Sequence, residues 1–110
     1  ANRPTRFVIQ QRNGGAVRHL PPEEAAQFPA VVDASGFRPI PQPPLPREEA
    51  ELLAQIKASE ALNVRAALEG DRGLAVQAAE LNPLGAPQPL AGRVVDELLA
   101  AHRPYLPQFA

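Results

Sequence analysis

The sequence contains no cysteine, no long apolar run and no strong excess of one charge. Without cysteine there is no disulfide framework, no thiolate zinc site and no cysteine nucleophile. The formal net charge of −1 creates no field that would attract nucleic acid or anionic lipid. No run approaches the roughly 20 apolar residues that cross a bilayer, and no basic-then-apolar leader opens the chain. We therefore expect a cytoplasmic protein with no nucleic-acid or membrane partner.

What the sequence does contain is an ordinary apolar content of 45% in 110 residues, which is enough for one modest core. Fourteen prolines are its most unusual feature. Ten of them cluster at residues 21–22, 39–46 and 83–89, so they mark breaks between segments and do not make the chain low-complexity. The pattern predicts a β-hairpin and short strand over residues 1–37, a Pro-rich connector over 38–46 and a helical segment over 47–110.

The first segment presents a choice between two interpretations of a Gly-rich turn. Residues 6–12 are typical of a strand, and Asn13-Gly14 is a strong signal for a type I′ hairpin turn. Residues 16–20 would then form the partner strand, and residues 28–33 a further short strand. A Gly-rich turn after a strand can instead bind phosphate, but such turns open a helix, and strand-like residues follow this one. We therefore favour chain reversal.

The Pro-rich stretch, residues 38–46, predicts extended polyproline II structure, because prolines do not fit a helix or a central strand. Arg38, Pro41 and Pro44 match the spacing that SH3-type grooves bind. A stiff connector explains the same residues more simply. The alternative is a non-enzymatic interaction module that uses this stretch or a helical face.

Three helices are predicted after residue 46. Acidic residues in the first turn and Gly70 after the last delimit one over residues 47–69. Asp71 can cap a second over residues 72–81, and apolar residues at helical spacing mark a third from Leu90 to about His102. The expected fold class is α+β: a short N-terminal β-hairpin and strands, then a small bundle of about three helices.

Two groups of residues suggest a contact surface. The apolar face of the first helix consists of Leu52, Leu53, Ile56, Val64 and Ala67. Ser59, Glu60 and Asn63 interrupt that face, and polar groups need partners when they are buried. The tail carries Tyr105, Leu106 and Phe109, which we expect to pack on a surface. We predict that all six residues contact another domain or subunit.

The residues that usually carry catalysis are sparse. His19 and His102 are far apart and have no second ligand at metal-binding spacing. Neither serine, Ser35 or Ser59, lies in a Gly-x-Ser-x-Gly elbow, and no Gly-x-Gly-x-x-Gly or Walker loop is present. The sequence thus predicts no catalytic, cofactor-binding or metal site within this chain.

The order of several motifs resembles the C-terminal part of glycoside hydrolase family 4, in its 6-phospho-β-glucosidase branch. The matching stretches are "NGGAVRHLPPEEAAQFPAVVDASGFRPI", "SEALNVRAA", "AVQAAELNPLG" and "VVDELLAAHRPYLPQF". They cover essentially the whole chain in the family's order. Gly14, Ser59 and Arg65 depart from the Asn, Tyr and Glu that are usual in the family.

The resemblance implies the chemistry of a longer enzyme, of which this chain would be roughly the last quarter. Family members use NAD and a divalent metal, typically manganese, and many act on 6-phosphoglycosides. The sugar is oxidised at C3, its C1 substituent is eliminated, water adds and the hydride is returned, an exception to two-carboxylate glycosidases. The Rossmann fold and the Cys and His metal ligands belong to the rest of that enzyme.

The same resemblance implies the role of this chain and its partners. It would be one C-terminal domain fragment, part of a larger substrate domain, bound to the rest of its own enzyme chain in a homo-oligomer that acts on a phosphorylated glycoside. Asn13 would lie near the edge of the substrate pocket. Alone, the 110 residues are expected to bind neither NAD nor Mn²⁺ and to hydrolyse nothing.

Overall fold

The computed structural model describes residues 2–109 and confirms the α+β class. Three strands come first: β1 (Thr5–Arg12), β2 (Ala25–Asp33) and β3 (Gly36–Pro39). Three helices follow: α1 (Arg47–Glu69), α2 (Arg72–Leu81) and α3 (Leu90–Ala101). Two 3₁₀ turns, Arg103–Tyr105 and Pro107–Phe109, form the tail. The chain divides into two compact units, one ending at Ala50 and the other beginning at Glu51.

The first unit contains an antiparallel sheet with strand order β1-β2-β3. Phe7 lies opposite Ala30 and Ile9 opposite Phe28, so these side chains share one face of the sheet. On that face Ala26, Phe28 and Ala30 are buried. The alternation of buried and more exposed residues along β2 is the period-2 pattern of a strand with one covered face.

The predicted partner of the first strand was wrong. β1 pairs with β2, from Arg12 opposite Ala25 to Thr5 opposite Val32, and residues 13–24 form a loop between them. Residues 16–20 alternate only loosely, whereas residues 25–30 of β2 alternate regularly and bury Phe28 between Ala26 and Ala30. The predicted strand at residues 28–33 is confirmed as the second half of β2.

The prediction of polyproline II structure was wrong for the first two residues of the Pro-rich stretch. Arg38 and Pro39 belong to β3, where Pro39 lies opposite Ala30. In the adjoining pair, the Ile40 N–H donates to the Pro29 carbonyl oxygen at 2.9 Å. Because hydrogen-bonded and non-hydrogen-bonded pairs alternate, the missing N–H of Pro39 faces away from β2 and costs no ladder bond. Residues 40–46 are neither helix nor strand.

The three predicted helices are confirmed, and their first and last residues agree with the prediction to within one residue. α1 stops at Glu69, and Gly70 follows with a φ of 67°, the left-handed conformation that ends many helices. The Asp71 carboxylate caps α2 by accepting from the Leu74 N–H at 3.0 Å. α3 ends one residue before the predicted limit, and the His102 N–H bonds the Leu98 carbonyl oxygen.

The core of the second unit lies where α2 packs on α3. Val76, Ala91 and Val95 are buried there, and four partly buried side chains surround them: Ala75, Ala79, Ala86 and Leu99. The Arg72 guanidinium also donates to both carboxylate oxygens of Asp96, at 2.5 and 2.8 Å. Small residues dominate this core, so the two helices approach closely.

The apolar face predicted for α1 is only partly correct. Leu53 and Ile56 are partly buried, but Val64 and Ala67 are exposed. The fully buried residues of α1 are Ser59 and Ala66, two turns apart on one side. Hydropathy alone misses this side, because small side chains permit close approach without being strongly apolar.

Candidate functional site

The second unit carries an apolar groove of about 670 Å³. Its lining includes small side chains of the three helices: Ala66, Ala67, Ala75, Ala78, Ala79 and Ala91. Leu84, Val94 and Leu98 also line it, with 96%, 42% and 52% of their surfaces exposed. An open channel with exposed branched side chains is the type of surface that another protein segment covers.

The groove gathers five of the six residues that were predicted to form a contact: Ser59, Glu60, Asn63, Leu106 and Phe109. Leu106 and Phe109 are partly buried, as expected for a tail that packs on a surface. Tyr105 does not line the groove and is 81% exposed. Its predicted contact with another domain or subunit stays a prediction.

Ser59 finds its polar partner within the chain. Its hydroxyl donates to the Ala78 carbonyl oxygen at 2.9 Å, and the residue is 5% exposed. Four residues earlier, the Gln55 amide donates to the Leu81 carbonyl oxygen at 2.8 Å. These bonds join α1 to the last turn of α2, where the Ala78 carbonyl oxygen also accepts from the Asn82 N–H at 3.1 Å. Glu60 and Asn63, by contrast, are exposed on the groove.

The tail makes a close backbone contact with the end of α1. A Cβ atom on Gly70 would lie 1.8 Å from the Gln108 carbonyl oxygen. The Gln108 side chain donates to the Ala67 carbonyl oxygen at 3.1 Å. The tail therefore requires glycine at position 70, which the sequence signalled only as a helix stop.

Asn13, the predicted pocket-edge residue, lies in the other unit and organises the loop of residues 13–24. It is 1% exposed. Its Nδ2 donates to the carbonyl oxygens of Val17, Leu20 and Pro21, and its Oδ1 accepts from the Val17 N–H at 2.7 Å. Every polar atom of the side chain is thus used inside the loop. Whether this loop borders a substrate pocket in a longer protein stays a prediction.

Main-chain N–H groups of the Gly-rich turn already donate hydrogen bonds within the loop of residues 13–24. The Gly14 N–H bonds the Pro22 carbonyl oxygen at 2.9 Å, and the Ala16 N–H bonds the Asn13 carbonyl oxygen at 2.9 Å. A phosphate cradle needs several free N–H groups that converge on the anion. Positive φ angles at Gly14 (53°) and Gly15 (91°) instead turn the chain into the loop.

The basic residue of the SH3-like spacing is already engaged. Arg38 pairs with the Asp33 carboxylate, which also accepts from the Ser35 N–H and hydroxyl. The hydrogen bond from Arg38, followed by those from Ser35, holds the pKa of Asp33 well below its usual range. The His19 Nε2 in turn accepts from the Leu45 N–H at 3.0 Å, which ties the Pro-rich stretch to the loop. No observation favours the interaction-module alternative.

The described residues contain no group of three His, Asp or Glu side chains that could hold a metal ion. Among the same residues, no helix is long and apolar enough to cross a membrane. In the second unit, the Arg72 hydrogen bond lowers the pKa of Asp96. That pair is exposed on both sides, so it stabilises the contact of α2 with α3 only weakly.

Comparison with known proteins connects these features to one family. Residues 1–85 match the C-terminal domain of the family 4 glycosyl hydrolases. A probable 6-phospho-beta-glucosidase of Bacillus subtilis is 37% identical over 97 residues, which are 88% of this chain and 22% of that protein.

Solved structures agree in fold. A 6-phospho-alpha-glucosidase from gut microorganisms, in complex with NAD and glucose-6-phosphate, superposes with a TM-score of 0.86 at 27% identity, covering 96% of this chain and 24% of that one. A 6-phospho-beta-glucosidase of Thermotoga maritima, with manganese, NAD⁺ and glucose-6-phosphate, gives a TM-score of 0.85 at 24% identity, covering 96% and 26%. The chain thus spans about a quarter of the length of the proteins it matches.

Proposed function

This chain belongs to the family 4 glycosyl hydrolases as a C-terminal domain, and we propose that it completes the substrate domain of an NAD- and divalent-metal-dependent 6-phosphoglucosidase. The observation that carries the proposal is the family match over residues 1–85. The 37% identity to a probable 6-phospho-beta-glucosidase supports the β-anomer over the α-anomer. The reaction would be the oxidation, elimination, addition and reduction sequence that the family resemblance implies.

The residues of this chain do not fit NAD or a divalent metal. The sequence has no cysteine, and the described residues form no cluster of three metal-binding side chains. We therefore place both cofactors in the rest of the enzyme and derive no catalytic step from this chain. We expect the whole enzyme to be cytoplasmic, in keeping with the absence of cysteine from this chain.

The part that this chain plays is to provide surface for a contact. The groove in the second unit brings Glu60, Asn63, Leu106 and Phe109 beside exposed Leu98. Burying such a surface against the rest of the enzyme chain would remove apolar area from water, at about 25 cal/mol per Å². In this proposal residues 1–37, 38–46 and 47–110 act together as one domain fragment, in an enzyme that is a homo-oligomer.

A domain exchange tests the proposal. The 97 matched residues of this chain replace the corresponding segment of the Bacillus subtilis relative. The chimera is assayed with both anomers of nitrophenyl 6-phosphoglucoside, with NAD and Mn²⁺. We expect cofactor-dependent release of nitrophenol from the β-anomer. A folded chimera that is inactive on both anomers would contradict the proposal, and so would NAD-dependent release by the 110-residue chain alone.

A matched pair of variants tests the groove. Leu98 and Leu52 are similarly exposed, at 52% and 47%, but only Leu98 lines the groove. Leu98→Gln should lower the activity of the chimera and the binding of a hydrophobic dye by the isolated chain. Leu52→Gln should change neither. Equal effects of the two variants would remove the groove from the proposed contact.

A further inference from the structure

His19 lies in a turn whose main chain is fixed by other contacts. The Leu20 N–H donates to the Val17 carbonyl oxygen at 3.2 Å, which makes His19 the third residue of a four-residue turn. The Asn13 side chain donates to the carbonyl oxygens of both Val17 and Leu20. The main chain that carries the imidazole is therefore held in place on both sides of the ring.

The partner of that imidazole is one of the few main-chain donors in the Pro-rich stretch. Prolines occupy four of the six positions in residues 41–46, and a proline has no N–H. Leu45 lies between two of these prolines, and its N–H donates to the His19 Nε2 at 3.0 Å. Because residues 41–46 belong to no helix or strand, their position depends more on this hydrogen bond than it would in a ladder of many bonds.

The bond can form only with a neutral imidazole. A neutral ring has one nitrogen that accepts and one that carries a proton, so a bond to Nε2 places the proton on Nδ1. A charged ring carries N–H on both nitrogens and has no acceptor left. Its Nε2–H would then face the Leu45 N–H, and two donors in that position repel each other. His19 is exposed, so a proton from solvent reaches the ring without unfolding of the loop.

We propose that the hydrogen bond between His19 and Leu45 is a pH-operated latch within the first unit. The neutral ring holds residues 41–46 against the loop of residues 13–24, and the charged ring releases them. Histidine is the side chain that ordinarily changes its charge between pH 5 and pH 8, so the release falls near physiological pH. The latch is a property of the first unit and does not depend on the proposed enzymatic role.

The other charged groups on the two joined segments are arginines and glutamates. They are Arg18, Glu23 and Glu24 on the loop, and Arg47, Glu48 and Glu49 in the first turn of α1. Arginine and glutamate side chains ordinarily titrate outside the range of pH 5 to pH 8. The second histidine of the sequence, His102, follows α3 in the other unit. A change at Leu45 in this range that disappears with the His19 imidazole is therefore caused by that ring.

NMR spectroscopy of the ¹⁵N-labelled 110-residue chain, between pH 8 and pH 5, tests the latch. At pH 8 the His19 ring should carry its proton on Nδ1. As the ring becomes charged, the Leu45 amide proton should shift upfield along the same titration curve. The protection of that amide against hydrogen exchange, relative to its intrinsic rate, should fall about fivefold, the size expected for the loss of one hydrogen bond.

Three variants separate the latch from other effects of pH. His19→Gln keeps an acceptor oxygen near the position of Nε2 but has no group that titrates, so the Leu45 amide should stay protected from pH 8 to pH 5. His19→Ala should show, already at pH 8, the Leu45 amide shift that the unmodified chain reaches at pH 5. His102→Gln is the matched control and should leave the pH dependence at Leu45 unchanged.

Several results would overturn the proposal. They are a proton on Nε2 of His19 at pH 8, a Leu45 amide that does not follow the titration of the ring, and a folded His19→Gln variant that keeps the full pH dependence at Leu45. Circular dichroism establishes that each variant is folded. If a His19 variant does not fold, the unmodified chain and His102→Gln still decide the test, because both report the Leu45 amide and the His19 ring together.

Discussion

The hydroxyl of Ser59 on α1 donates to the carbonyl oxygen of Ala78 on α2, at 2.9 Å and out of contact with water. The bond satisfies a polar side chain that would otherwise be buried without a partner, and it joins α1 to α2. Ser59 and Ala66, two turns apart, are the buried residues of α1, so small side chains occupy this side of the helix.

Ser59→Ala should therefore destabilise the chain by about 1 kcal/mol, the typical net value of one hydrogen bond. Ser59→Tyr, which introduces the residue usual in the family, should cost more, because it removes the same hydrogen bond and places a ring at a position that is 5% exposed. Urea unfolding measures both. Gln55→Ala is the control: its bond to Leu81 is exposed, so its loss should cost less. An equal or larger loss for Gln55→Ala would contradict this account.

Asn13→Ala should destabilise the chain by about 2 kcal/mol or more, because it leaves the buried carbonyl of Leu20 and the partly buried N–H of Val17 without partners. Asn13→Asp should be at least as harmful at neutral pH, since a carboxylate would face carbonyl oxygens that now accept from Nδ2. Thermal unfolding measures the loss. Gln11→Ala, at an exposed position of β1, is the control and should be nearly neutral. A neutral Asn13→Ala would show that the loop does not depend on this side chain.

Gly70→Ala should destabilise the chain more than Gly15→Ala. Both glycines have positive φ, 67° and 91°, so both substitutions carry the left-handed cost of roughly 1–2 kcal/mol. Only at Gly70 does the added Cβ collide with main chain, 1.8 Å from the Gln108 oxygen, while nothing lies within 4 Å at Gly15. Limited proteolysis of the tail, with urea unfolding, separates the two. Equal losses and an uncut tail in both would refute the close contact.

The Asp33–Arg38 pair should contribute to the acid sensitivity of folding. Because the folded-state pKa of Asp33 is lowered from 3.8, the pair stabilises the native state above that pH. The contribution is lost as the pH falls from about 4 through the lowered pKa. Asp33→Asn should therefore be less stable than the unmodified chain at neutral pH, and the difference in their free energies of unfolding should shrink as the pH falls. Urea midpoints between pH 7 and pH 2 test this, and parallel curves would contradict it.

Local signals were sufficient for the helices. The acidic first turn of α1, Gly70 after it, the Asp71 cap and the Pro-rich breaks all act within a few residues, so the helix limits follow from the sequence. The strand at residues 28–33 was also predicted from local pattern. The partner of β1 was not, because pairing across the loop of residues 13–24 depends on contacts that no local pattern encodes.

The contact residues show the same division. The pattern marked Ser59, Glu60 and Asn63 as anomalous and the tail as apolar, and the structure gathers most of these residues around one groove. It could not reveal that Ser59 is bonded to Ala78 or that Tyr105 points away. Val94 and Leu98 belong to the apolar stripe of α3, and only the structure shows that they are exposed, at 42% and 52%.

The sequence by itself determined the α+β class, the three helices and their ends, and the resemblance to family 4, because each rests on short-range pattern or motif order. Only the tertiary structure decided which strand pairs with β1, that Asn13 holds a loop together and that the missing N–H of Pro39 faces away from β2. These features depend on which main-chain groups meet across a distance in sequence, and hydrogen bonds of that kind are settled only when the chain is folded.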